Sequence, residues 1–227
     1  MLSPSSPAYG SLATGGLTAE AVVIDIQDPS AALGGVRSLL EHRNRYVTAQ
    51  IWVRVHSVRS SESESELRLL QGLVDGFVIP DVQCVQDLEW VAGHSPGTPL
   101  IPVLECSQAL PRVLSIARHS SVRRLGFSSL STSCDLSDGM LSLENAVSWA
   151  HRMIVGASAS AKLPGPVGGL HPALQDDAQL LQDATLAVRT GFTGYCSTSI
   201  SQLAYVEMLL AEGVATGRGR PRAARSV

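Results

Sequence analysis

Several things are scarce in this chain of 227 residues, and each scarcity removes a class of function. The four cysteines, Cys84, Cys106, Cys134 and Cys196, are widely spaced with no CxxC pair, which excludes a zinc knuckle and a dense disulfide frame. No apolar run reaches membrane-spanning length. Met1–Gly10 has Ser and Pro where a signal peptide would carry basic residues followed by an apolar run, so the expected location is cytoplasmic. Charged residues make up only 16% of the chain and the net charge is −3, leaving no general electrostatic reason to bind nucleic acid or an anionic membrane. A Gly-rich phosphate loop is also missing, because the Gly15-Gly16 and Gly34-Gly35 pairs lack the required spacing. Lysine is the scarcest of all: Lys162 is the single example among 17 basic residues.

What is present is an alternation of short apolar runs and amphipathic segments, repeating about every 25 residues, as in a parallel βα fold. The runs are Ala21–Ile26, Thr48–Val55, Gly76–Pro80, Leu100–Glu105, Arg124–Phe127, Pro166–Gly168 and Phe192–Cys196. Most are aliphatic or β-branched without polar alternation, as strands covered on both faces require. Helical periodicity falls between them at Ala31–Arg43, Glu62–Leu73, Val85–Ala92, Leu110–His119, Leu143–Ala161, Asp176–Thr190 and Ser199–Glu212. Met1–Pro4 supplies the stub of a further, first strand and Tyr9–Ala19 its weak helix. The expected fold is therefore α/β, a (β/α)8 TIM barrel with a shortened first strand, forming one domain over residues 1–214. Residues 215–227, rich in Arg, Gly and Pro, are expected to be a disordered tail. The Ser/Glu run Ser60–Glu66 reads as a solvated loop and helix start, where acids suit the helix dipole.

In such a barrel, polar residues at the C-terminal ends of strands point into a shared mouth. That rule collects Asp25, Asp28, Arg54, Asp81, Glu105 and Ser128–Ser131. Glu105 ends an otherwise apolar LIPVLE run, and a carboxylate there needs a metal, an arginine or hydrogen bonds. Arg54 lies in WVRV and needs a carboxylate or phosphate, so it is either a clamp for an anionic substrate or the structural partner of Glu105. Lys162 precedes a late strand, opposite the mouth, so no lysine is placed to form a Schiff base. His42, His94, His119, His151 and His171 fall in helices or loops and read as surface residues; His56, directly after a strand, is the one expected to contact ligand.

Taken in order, these strand ends resemble the citrate lyase beta-subunit family within the HpcH/HpaI aldolase superfamily. Val23–Ser30 (VIDIQDPS) is similar to its LDLEDAV-like segment, matching at Asp25 and Asp28; Val53–His56 matches VRVN at Arg54; Leu73–Gln83 resembles GADGIVLPKVE, with Asp81 in place of a lysine. Ile101–Leu110 (IPVLECSQAL) resembles IxxxIETAxG, which makes Glu105 the counterpart of the first metal carboxylate. Phe127–Ser137 aligns with FGxEDLAADLG; Ser131 stands where a metal-binding aspartate belongs, and Asp135 matches the later aspartate. Phe192–Gln202 resembles FDGKxCIHPxQ, with Tyr195 for the lysine and Ser199-Ile200 for His-Pro. The resemblance implies a carbon–carbon lyase acting on a keto acid, another small carboxylate or an acyl-CoA. In that reading Arg54 and Glu105 are catalytic, and Arg54, Asp25, Asp28 and His56 bind substrate. Glu105 and Asp135 hold Mg2+, coenzyme A enters as part of the substrate, and the protein is a homo-oligomer. The replacements leave a second expectation open: a catalytically degenerate barrel kept as a binding or assembly protein.

Overall fold

The computed structural model describes residues 21–26, 50–128, 143–170, 177–197 and 200–215. All seven expected strands form: β1 (Ala21–Asp25), β2 (Gln50–Arg54), β3 (Gly76–Ile79), β4 (Leu100–Leu104), β5 (Gly126–Phe127), β6 (Val167–Gly168) and β7 (Gly194–Tyr195). They pair in chain order, every neighbour parallel to the next. The helices are α1 (Ser63–Leu70), α2 (Val85–His94), α3 (Val113–Ala117), α4 (Leu143–Ser160), α5 (Asp177–Thr190) and α6 (Ile200–Ala215). Pro111, which has no N–H to donate, splits the expected Leu110–His119 helix into a 3-10 segment, Ser107–Arg112, and α3. The expected first strand and the Ala31–Arg43 helix lie outside the described residues. What stands is a seven-stranded parallel sheet.

Strand alternation sorts the apolar residues onto two faces. Val22, Ile24, Ile51, Val53, Phe77, Ile79, Leu100, Leu104, Phe127 and Tyr195 belong to an outer core shared with the helices. The residues between them, Val23, Trp52, Val78, Ile101, Val103 and Val167, form a separate inner cluster with Leu170. That cluster joins Val23 on β1 to Val167 on β6, which a flat sheet would hold many strand spacings apart; the sheet is curled around it. Two glycines make room for it. A Cβ on Gly76 would fall 2.2 Å from the Trp52 ring, and one on Gly126 2.5 Å from Leu170.

The helices are pinned by stripes of three-to-four spacing. On α4 the stripe runs through Ala146, Val147, Ala150, His151, Ile154 and Ala157, all buried. His151, expected at the surface, is 3% exposed. It belongs to this stripe and sits against Phe127, at 5.0 Å between ring centroids, and Phe192, at 4.5 Å. On α1 the stripe is Ser63, Glu66, Leu67 and Leu70. Helix position overrides composition here, because the Ser/Glu run expected to be solvated sends Ser63 and Glu66 into the interior, both with no exposed surface.

A candidate active site at the strand ends

The inner parity that carries Val23, Trp52 and Val103 continues one step further along each strand to Asp25, Arg54 and Glu105. At that level the apolar packing gives way to charge. Arg54 donates from Nη2 to Glu105 Oε1 at 2.9 Å and from Nη1 to the backbone carbonyl of Leu170, just beyond β6. Its Nε lies 3.9 Å from Asp25 Oδ1. The three side chains are only 9 to 14% exposed. One arginine thus links the ends of β1, β2 and β4 to the loop after β6. The structure brings together Asp25, Arg54 and Glu105 as the sequence leads one to expect; Asp28, Ser131 and Asp135 lie outside the described residues.

Burial holds the Glu105 carboxyl above its usual range, an effect larger than the opposing pull of Arg54, and Asp81 and Asp25 push it further in the same direction. Two carboxylates, Asp25 and Glu105, thus share the Arg54 guanidinium at the mouth. Among the described residues no group of three or more His, Cys, Asp or Glu is arranged to hold a metal ion.

Around this centre the structure adds residues that sequence reading passed over. Arg59, in the loop after β2, donates from Nη1 to the Asp81 carbonyl at 2.9 Å and pairs with the Asp81 carboxylate at 3.4 Å. Its Nη2 reaches Asp87, whose carboxylate accepts the Gln83 and Cys84 N–H groups at the start of α2. Asp81, held at φ 50°, thus has a cationic partner one strand away. His56 lies on the rim with a side chain 28% exposed, and its partner is Glu66. The signal for Glu66 was helical phase: it is one position before Leu67 and four before Leu70, on the face that must be buried.

Tyr195 faces the other way. Its ring packs over Gly168 and Gly169 in the outer core, where a Cβ on Gly169 would sit 2.6 Å from the ring and 2.4 Å from the Cys196 carbonyl. Its hydroxyl is buried without a hydrogen-bond partner among the described residues, and burial drives its ionisation far up. It therefore offers the mouth no charge. Lys162 lies after α4, in a groove with Arg118, His119 and Leu163 near the opposite ends of the strands, as expected for a residue that takes no part in the site.

No curated protein matches the chain significantly. Solved structures do match it. RipC from Yersinia pestis superposes with a TM-score of 0.69 at 18% identity, over 86% of this chain and 90% of RipC. The citrate lyase beta subunit of M. tuberculosis complexed with oxaloacetate and magnesium gives 0.69 at 16% identity, over 88% of this chain and 91% of that one. Protein CitE from Mycobacterium tuberculosis in complex with magnesium, acetoacetate and coenzyme A gives 0.68 at 16% identity, over 95% and 83%. At these identities the likeness establishes the fold. The profile of one protein family, described as HpcH/HpaI aldolase/citrate lyase, matches residues 2–199, and with most of the chain inside that match, the protein belongs to the HpcH/HpaI aldolase/citrate lyase family.

Proposed function

We propose that this protein is a carbon–carbon lyase or aldolase of the citrate lyase beta type, acting on a keto acid, another small carboxylate or an acyl-CoA bound at the mouth of the sheet. The observation that carries the reading is the buried cluster at the strand ends, in which Arg54 joins Glu105, Asp25 and the Leu170 carbonyl. A guanidinium has five N–H donors, so these contacts leave Arg54 able to grip an anionic group as well. Membership of the family and the magnesium, oxaloacetate, acetoacetate and coenzyme A present in similar solved proteins support the same chemistry.

The oxygen donors of Glu105 and Asp25 at the mouth fit a divalent cation. Glu105 is a hard oxygen donor whose ionised form is penalised in the folded protein, and a cation beside it relieves that penalty. Glu105 would hold the ion together with Asp135, with Asp25 and Asp28 orienting its waters. When bound, magnesium supplies Lewis-acid stabilisation of the enolate formed on cleavage or condensation. Arg54 fixes the substrate's anionic end, and the inner apolar cluster beneath it keeps water from below.

A second reading, a degenerate barrel serving as a binding or assembly protein, draws on the fact that Glu105 Oε1 already has a partner in Arg54. Titration calorimetry separates the two. Magnesium binding in the micromolar range that is strengthened by pyruvate and lost in Glu105→Gln is the expected result; a wild-type protein that binds neither sinks the lyase reading. The proposal also carries a closed (β/α)8 barrel as a single domain, a cytoplasmic setting, a homo-oligomer, and no nucleic-acid or membrane partner; Ala215, expected to open the tail, instead ends α6, and residues 216–227 lie outside the described residues. No helix among the described residues is long and apolar enough to cross a membrane.

A further inference from the structure

We infer that His56 and Glu66 form the acid–base pair of this site, with His56 as the catalytic residue that moves the proton and Glu66 as the residue that positions it. The inference rests on the lyase reading above and adds the proton-transfer group which that reading lacks.

The geometry is specific. Glu66 has no exposed surface, yet its carboxylate takes no cation from lysine or arginine among the contacts of the described residues. Its Oε1 lies 2.6 Å from His56 Nδ1, and its Oε2 accepts the His56 backbone N–H at 2.9 Å. One carboxylate thus fixes both the ring and the main chain of a single residue. A carboxylate can only accept, so Nδ1 carries the proton, and Nε2 is the ring nitrogen left to take up or release one. The ring is the exposed half of the pair, on the rim, while the carboxylate is sealed beneath it. His56 is two residues beyond Arg54, so the two Cα atoms are at most about 7 Å apart. In the proposed reading Arg54 holds the anionic ligand, and His56 follows it two residues later at the same end of the sheet. The charged groups around it are Arg54 on its own strand, Glu66 on α1, and Glu62 just ahead of α1, whose carboxyl is pulled down in small part by His56.

In the cleavage direction, Nε2 takes the proton of the substrate hydroxyl. The O–H pair becomes the second bond of the new carbonyl, the carbon–carbon bond breaks, and its electron pair passes into the enolate. The imidazolium, stabilised by Glu66, then returns its proton to the enolate carbon.

The same step can be followed without knowing the natural substrate. With magnesium and pyruvate in D2O, Nε2 removes a methyl proton to give the enolate and returns a deuteron, which proton NMR records as loss of the methyl signal. His56→Gln keeps an N–H to satisfy Glu66, so it should fold, bind magnesium within twofold of wild type, and at saturating pyruvate exchange about a hundredfold more slowly. Glu66→Gln keeps the volume but loses the charge, and should slow exchange about tenfold with binding unchanged. In the metal-free protein, the nitrogen-15 spectrum of labelled histidine should place His56 in the Nδ1–H tautomer, and Glu66→Gln should mix the tautomers. Exchange at the wild-type rate in His56→Gln, or an Nε2–H tautomer in the wild type, overturns the inference while leaving the lyase reading intact. A wild-type protein that binds pyruvate but exchanges nothing overturns it too. Absence of pyruvate and magnesium binding in the wild type removes the lyase reading and this inference with it.

Discussion

Two ionisable side chains are buried on opposite sides of the same sheet, and they are treated in opposite ways. Glu105, on the inner side, is given a guanidinium at 2.9 Å and two further carboxylates nearby, so charge is gathered around it. His151, in the outer layer, sits between Phe127 and Phe192 with, among the described residues, only the Thr190 hydroxyl for a partner, and burial pushes it down to about 4. Thr190 spends its own proton on the Leu186 and Ala187 carbonyls, so it accepts from Nδ1–H, and it is burial that favours the neutral ring. The outer layer excludes charge, as a structural core does. The mouth keeps charge at a cost, which is what a binding site looks like.

The largest expected effect comes from unbalancing the mouth. Arg54→Met removes the guanidinium paired with Glu105 and should cost about 3–5 kcal/mol in urea unfolding, whereas Arg54→Met with Glu105→Met should recover much of that loss. Recovery would show that the cluster is retained for something other than stability.

Next comes the outer layer. His151 has its folded value depressed from 6.5 to about 4, so its stabilising contribution is present above pH 6.5 and is lost as pH falls toward 4. At about 1.4 kcal/mol per unit, the loss reaches about 3 kcal/mol. Replacing His151 with Phe, which keeps the aromatic packing and leaves Thr190 bonded to its carbonyls, should flatten the stability curve over that window. An unchanged slope would mean that the ring is not the acid-labile group.

Glu105 has the opposite sign. Its folded value is raised above 4.5, so its contribution is fully present below 4.5 and is lost as pH rises through the folded value. Glu105→Gln should therefore hold its stability better than wild type toward neutral pH while abolishing magnesium binding. The smallest effect belongs to Arg59→Ala. With a side chain 43% exposed, its pairs with Asp81 and Asp87 should contribute under about 1 kcal/mol. A loss of several kcal/mol would make the rim as structural as the mouth.

Both sides of this comparison bear on what could be read from sequence. The seven strands were legible because covered parallel strands leave unbroken aliphatic runs, and Arg54 and Glu105 were legible because each interrupts such a run with a charge. The relation between them was left as two options, and the distance of 2.9 Å shows that they do pair. Glu66 and His151 were misread because composition and residue type were weighed ahead of phase. SSESESE looks solvated until Glu66 is placed on the helix stripe with Leu67 and Leu70, and His151 looks superficial until it is placed with Val147, Ala150 and Ile154. Arg59 carried no local signal, since its partners lie 22 and 28 residues away across the next strand.

The sheet also grows in strict chain order, each strand's partner being the next to be synthesised. β1 pairs with β2 through five registered residues and β2 with β3 through three, whereas β5 meets β6 through one. Wiring in chain order lets each pair form without waiting for a later strand, so the N-terminal strands can assemble first during synthesis. Asp25, Arg54 and Glu105 all belong to that early half. The late half reaches them through the Leu170 carbonyl, so completing the sheet locks an arginine already set in place.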